Sequence, residues 1–352
     1  MSVILLKPDE IGDFVMATGA LRILGQAHSE DKITLVVKSE LASLARREFP
    51  RASIIELPWQ ARKKGRNQAA DNIYHCFPAW RRLCAARADD CICLRSKRNF
   101  LQSLFFVSPR VARRLAPENL LVGKGGFRRR LLERLMHSWP SHVLVPYPHS
   151  RGVLPMELES HRQILSLALG REIPAREILP RLSAQWRGGN DWILCPFSSR
   201  QSKDYHVEQW TSALELAVAR HKPRSIRVAG GPGQGETLET FAASLRANLT
   251  SCPVSVEPPR SLEDFAEFIA VAGLVLTVDT SAAHMACAVG TPAVIVDSGL
   301  HFGVYGPYSP NGRQLWLIGD RVSRGPKGWR ETITPSDVDA AIAQALHPLS
   351  GT

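Results

Sequence analysis

A glycine and a carboxylate follow closely on a short apolar run near the start of the chain: Gly12 and Asp13 in KPDEIGDFVMATGALR. A carboxylate there can take a proton from a hydroxyl within hydrogen-bond reach. Aspartate also caps helices, and spacing alone leaves both roles open. Further along, PFSSRQSKDY (196–205) offers the hydroxyls of Ser198 and Ser199 and the ammonium of Lys203 just before a helix. That set suits the phosphates of a diphosphate leaving group. VDTSAAH (278–284) puts Thr280, Ser281 and Ala282 where a strand turns into a helix, so amides and hydroxyls there can meet phosphate oxygens. His284 lies one helical turn on and can either touch a ligand or sit hydrogen-bonded in the core. AGGPGQGE (229–236), with Gly231 and Gln234, lets backbone approach a ligand closely. It fits neither G-x-G-x-x-G nor G-x-x-x-x-G-K-[ST], which removes support for hydride transfer and P-loop hydrolysis. Taken singly, Thr280 and Ser281 read as a helix cap and Lys203 as a solvated lysine. Their recurrence at successive strand ends favours an anion site.

Strands alternating with helices must position these residues. An apolar run at Val3–Leu6 precedes a helical pattern from about Gly12 to Gln26, then ITLVVK (33–38), a helix over 39–48, SIIEL (53–57) and CICL (91–94). A second series runs through DWILCPF (191–197), SIRVAGG (225–231), LVLTVD (274–279) and PAVIVD (292–297), each followed or preceded by a helical pattern. Such alternation predicts an α/β chain of parallel sheets covered on both faces. Two series of similar size predict two Rossmann-like domains facing a central cleft, over 1–180 and 181–352. Between 59 and 89, and from 95 to 139, periodicity weakens while RKKGR, RSKR, PRVARR and FRRR accumulate, so loops and exposed helices are expected. The Pro- and Gly-rich segment 145–155 and the helix over 156–169 read as a connector.

Of the 352 residues, 44% are hydrophobic and 22% charged, which excludes disordered and fibrous classes. No apolar run approaches the roughly 20 residues that span a bilayer. The N-terminus lacks a basic region before its apolar run, so no signal peptide and a cytoplasmic location are expected. Seven scattered cysteines without C-x-x-C argue against a disulfide framework or zinc ribbon and for a reducing compartment. The net charge of +11 is lopsided: residues 1–180 hold 29 Lys+Arg against 17 Asp+Glu, and residues 181–352 hold 15 against 16. A one-sided basic surface suits an anionic partner. Nucleic acid is disfavoured, because RKKGR and FRRR lack interleaved aromatics.

These residues resemble glycosyltransferase family 9, the bacterial lipopolysaccharide heptosyltransferases. The likeness runs through KPDEIGDFVMATGAL, PFSSRQSKDYHVEQW, VAGGPGQGE, VLTVDTSAAHMACAVGTPAVIV, GVYGPY and PSDVDAAIAQAL, and is weakest over about 60–145. The resemblance implies a GT-B fold with the nucleotide sugar mainly on the C-terminal domain and the acceptor on the N-terminal one. Asp13 matches the family's base, Lys203 its phosphate-binding lysine and Asp279 the aspartate near the donor. Donor contacts are expected at Ser198, Ser199, Lys203, Gly231, Gln234, Asp279, Thr280, Ser281, Ala282 and His284. Acceptor contacts are expected at Gly12, Arg62, Lys63, Lys64 and Arg66. The implied reaction is inverting, needs no metal or cofactor, and moves heptose from ADP-heptose to an anionic glycolipid at the inner membrane face. The chain departs from the pattern at Gln234, where the family often has glutamate, and at Ser298 to Phe302. Both leave room for another nucleotide sugar or acceptor.

Overall fold

The computed structural model describes residues 1–58, 68–120, 126–137 and 142–347. The chain divides into two compact units, Met1–Leu179 and Pro180–Thr352. The first comprises β1 (Val3–Leu6), α1 (Ile11–His28), β2 (Ile33–Lys38), α2 (Ala42–Glu48), β3 (Ser53–Leu57), α3 (Gln68–Ala85), β4 (Arg87–Cys93), α4 (Phe100–Val107), β5 (Arg110–Pro117), α5 (Phe127–His137), β6 (His142–Val145) and α6 (Met156–Leu169). The second comprises β7 (Asp191–Cys195), α7 (Val207–His221), β8 (Ser225–Val228), α8 (Gly235–Asn248), β9 (Val254–Val256), α9 (Leu262–Ala270), β10 (Leu274–Val278), α10 (Ser281–Val289), β11 (Ala293–Asp297), β12 (Gln314–Ile318), α11 (Arg321–Gly328) and α12 (Pro335–Leu346).

Each unit is built on a six-stranded sheet, ordered β3-β2-β1-β4-β5-β6 and β12-β11-β10-β7-β8-β9, with every pairing parallel. Both sheets have the same winding, in which the order reverses beside the first strand. The crevice at the carboxyl ends of the strands flanking such a reversal is where doubly wound sheets take ligands. It falls between β1 and β4 in the first unit and between β7 and β10 in the second. β1, β7, β10 and β11 are buried along their whole length, as continuous apolar runs in a parallel sheet require. The helices after β1 and β10 are buried almost all round: α1 from Phe14 to Leu21 and α10 from Ala282 to Val289. Small residues permit that contact. A Cβ on Gly19 would collide with the backbone oxygens of Ile178 and Leu179.

Two expectations need correction. PRVARR is neither loop nor helix: it enters β5, where Arg113 pairs with Asp90 (2.6 and 2.9 Å) and buried Arg114 donates to the Val107 carbonyl (3.1 Å). RSKR is the expected loop, though Arg98 within it is fully buried and donates to the Pro117 carbonyl (2.8 Å). The segment 156–169 is no connector, since α6 packs on α1, β5 and β6 inside the first unit. Among the described residues all seven cysteines are free thiols, six of them buried.

Candidate active site

In the first unit, β1 delivers Lys7 and Asp9 to the crevice and α1 starts at once behind them. Glu10 is the N-cap of α1, so Asp13 sits in the first turn and does not cap the helix. Asp13 is half-buried, with no hydrogen bond to its carboxylate among the described residues. Desolvation pushes its carboxyl up to about 6; Glu157 and Glu10 add to the rise, and Lys7 and Lys38 oppose it. A carboxyl near 6 is ionised at neutral pH yet basic enough to accept a proton. Gly12 lies beside it, half-buried in the same turn.

Beneath this turn lies a buried charge cluster on which sequence reasoning placed no role. Lys7 is fully buried, 3.0 Å from Asp9 Oδ2 and 3.4 Å from both Glu157 Oε1 and His161 Nε2. Arg95, just after β4, pairs with Asp9, and Tyr147 donates to Glu157 Oε2 at 3.1 Å. Burial alone would raise the Glu157 carboxyl, but Lys7, His161 and Tyr147 outweigh it and hold it at about 2. Burial, with Lys7 close by, lowers the His161 imidazole, which favours its neutral form. The available signal was Glu157 and His161 at i and i+4 of one helix, facing a lysine that directly follows a strand.

In the second unit the corresponding strand ends bring Lys203 and Asp279 together. Thr277 lies level with Cys195 across the β7–β10 pairing, so the loops leaving both strands are neighbours. Lys203 Nζ donates to an Asp279 carboxylate oxygen and to the Asp279 carbonyl at 3.2 Å. An ammonium has three donors, so one stays available for a ligand. Burial would raise Asp279, yet Lys203 and then His284 bring its carboxyl below the usual range. Asp297, at the end of β11, is pushed up to about 6 by desolvation and by nearby Asp279. The loop carrying Lys203 is held from behind: Arg330 donates to the Gln201 carbonyl (2.9 Å) and Trp329 Nε1 to the Ser202 carbonyl (3.2 Å).

The other expected donor contacts divide by what already occupies them. Thr280 is the N-cap of α10 and accepts from Ala282 N (3.3 Å), so the amide of Ala282 is engaged. Ser281 begins α10 half-buried, with no hydrogen-bond partner for its hydroxyl among the described residues. His284 is held as a core histidine: its Nδ1 is 2.9 Å from Tyr308 Oη and its Nε2 4.0 Å from Asp279 Oδ1. Burial lowers its imidazole to about 4, leaving the ring neutral at physiological pH. The Ser198 hydroxyl donates to the Arg200 carbonyl (2.6 Å) and accepts from Arg200 N (3.0 Å), which orders its own loop, whereas Ser199 is exposed. Gln234 folds back to accept from Gly231 N (2.7 Å), so that amide and the Gln234 side-chain oxygen are engaged with each other. Ser298 is wholly buried and lines no accessible surface. Arg62, Lys63, Lys64 and Arg66 lie outside the described residues.

Two doubly wound sheets with charged strand ends at both reversals make this chain an α/β protein of the GT-B glycosyltransferase architecture. Solved structures share it over nearly the whole chain. The E. coli heptosyltransferase WaaC with ADP is 19% identical with a TM-score of 0.69, covering 98% of this chain and 100% of its own. A glycosyl transferase family 9 protein from Veillonella parvula is 16% identical with a TM-score of 0.71, covering 98% and 97%. E. coli ADP-heptose lps heptosyltransferase II is 15% identical with a TM-score of 0.67, covering 98% of both chains. A comparison with curated proteins finds no match. The family model of glycosyltransferase family 9 (heptosyltransferase) matches residues 172–323.

Proposed function

We propose that the protein is an inverting glycosyltransferase that moves heptose from ADP-heptose onto a hydroxyl of an anionic lipopolysaccharide-core acceptor. The Lys203–Asp279 pair beside the N-terminus of α10 carries this reading. It offers one free ammonium donor and the positive end of α10 to a diphosphate, whose charge grows as the sugar departs. Asp13 supplies the complementary group, a half-buried carboxylate that takes the acceptor's proton as the hydroxyl attacks the anomeric carbon. Leaving-group stabilisation rests on Lys203 and that helix end, so the reading needs no metal and no cofactor beyond the donor. WaaC, solved with ADP and with ADP-2-deoxy-2-fluoro heptose, supports the choice of nucleotide and sugar. The basic first half supports an anionic acceptor. Among the described residues no helix is long and apolar enough to cross a membrane. In this reading the enzyme works in the cytoplasm and reaches a lipid-linked acceptor as a peripheral protein.

A second reading keeps fold and mechanism but changes the nucleotide or makes a protein hydroxyl the acceptor. It is supported by Gln234, which ties down its own loop where a carboxylate would meet ribose hydroxyls. A thermal-shift panel of ADP-, UDP-, GDP- and CMP-linked sugars tests the donor. A ligand at about 100 times its Kd stabilises by about 2.7 kcal/mol. For a unit of this size that is a rise of roughly 5–10 °C. ADP-heptose alone should produce it; a selective rise with another nucleotide sugar would overturn the donor assignment.

A further inference from the structure

Helix α5 presents apolar and basic side chains to solvent together. Phe127 is 73% exposed, Leu131 46%, Leu132 50% and Leu135 57%, and Arg128, Arg130 and Arg134 are exposed as well. Phe127, Leu131 and Leu135 recur every fourth residue, which on a helix draws a single stripe drifting by about 40° per step. Leu132 widens the stripe, and Arg130 and Arg134 run along one border. Among the described residues no carboxylate pairs with Arg128, Arg130 or Arg134. A surface helix normally turns its leucines inward. Here they face out over a helix of about 16 Å, in the half of the chain that holds the whole charge excess.

We propose that α5 is a docking surface for an anionic lipid bilayer, lying in the plane of the membrane interface. Phe127, Leu131, Leu132 and Leu135 would enter the boundary between headgroups and acyl chains. The arginines would extend their stems along the same apolar layer and keep their guanidinium groups among the phosphates. A second copy of the chain fits less well. A two-fold contact through this face would set the patch against itself, arginines included, and like charges brought together oppose association. An anionic surface turns the same arginines into an attraction.

The proposal does not depend on the sugar-transfer reading, because vesicle binding is measured without any substrate and either can fail alone. The full chain is sedimented at low salt with vesicles of phosphatidylcholine, or of equal parts phosphatidylcholine and phosphatidylglycerol. Binding to the anionic vesicles, little to the neutral ones, and weakening with added salt are expected. Arg128→Gln, Arg130→Gln and Arg134→Gln combined should reduce partitioning roughly 100-fold, at about fivefold per charge. Leu131→Ser with Leu135→Ser should also reduce it, while the melting temperature, checked in parallel, stays near that of the parent because both side chains are exposed. Absence of vesicle binding by the parent, or unchanged binding by both variants, would overturn the proposal. So would a concentration-dependent dimer that the serine variant abolishes without change in vesicle binding, which would assign the face to a second copy.

Discussion

Replacing Glu157 with glutamine removes one charge from the cluster beneath Asp13 while keeping its shape. In the folded protein this carboxyl is held at about 2 against an ordinary 4.5. A carboxylate stabilised to that extent contributes about 3 kcal/mol at neutral pH. Removing one partner of a buried ion pair costs about 3–5 kcal/mol, and the low end applies because Asp9 still faces Lys7 at 3.0 Å. For a unit of this size the loss lowers the melting temperature by roughly 6–12 °C. The sign of the pH dependence follows from the depressed value. The contribution is complete above about 4.5 and disappears as pH falls toward 2, so parent and Glu157→Gln should differ most at neutral pH and converge in acid. Calorimetric melts from pH 7 down to the acid limit of folding measure this. Because Glu157 also raises Asp13, the variant should move the acid limb of turnover to lower pH. A constant difference in melting temperature across the range, or none at neutral pH, would refute the assignment of Glu157 as the ionised partner of Lys7.

Asp13→Asn should abolish most transfer, by about 10²- to 10⁴-fold, with donor affinity nearly unchanged. The same change should raise the melting temperature at pH 7 and hardly at pH 4, because a carboxyl raised from 3.8 to about 6 costs stability that builds up as pH rises between those values; unaltered turnover with the true acceptor would exclude Asp13 as the base. Lys203→Ala should weaken nucleoside-diphosphate binding by about 10- to 100-fold in calorimetry, the loss of one charge-assisted hydrogen bond, and equal affinities would remove Lys203 from the site. Gly19→Ala drives a methyl into the backbone oxygens of Ile178 and Leu179 and should destabilise the first unit by about 3 kcal/mol in denaturant melts. Retention of full stability would mean that α1 can move away from this segment.

The sequence by itself determined the α/β class and the central strands of both sheets, and it pointed to the loops at their carboxyl ends. β1, β2, β7, β10 and β11 are apolar runs bounded by turn residues, and in a parallel sheet buried on both faces such a run can be little else. Asp13, Lys203, Asp279 and Thr280 stood out because they lie in the segments that lead from those strands into the next helices. Several outer strands were not. β9 spans three residues and β6 four, too short for a period, and β5 carries Arg113 and Arg114, whose charge hid it until Asp90 and the Val107 carbonyl appeared as partners. Side-chain engagement lay equally beyond sequence. Whether Ser198, Gln234 or His284 offers a free group depends on what the folded loop places beside it: Arg200, Gly231 N and Tyr308. The surroundings of Asp13 were decided by tertiary structure for the same reason. Lys7 and Glu157 are separated by 150 residues of chain, and only the packing of α6 on α1 brings a second carboxylate under the first, in a desolvated place where its charge acts on Asp13.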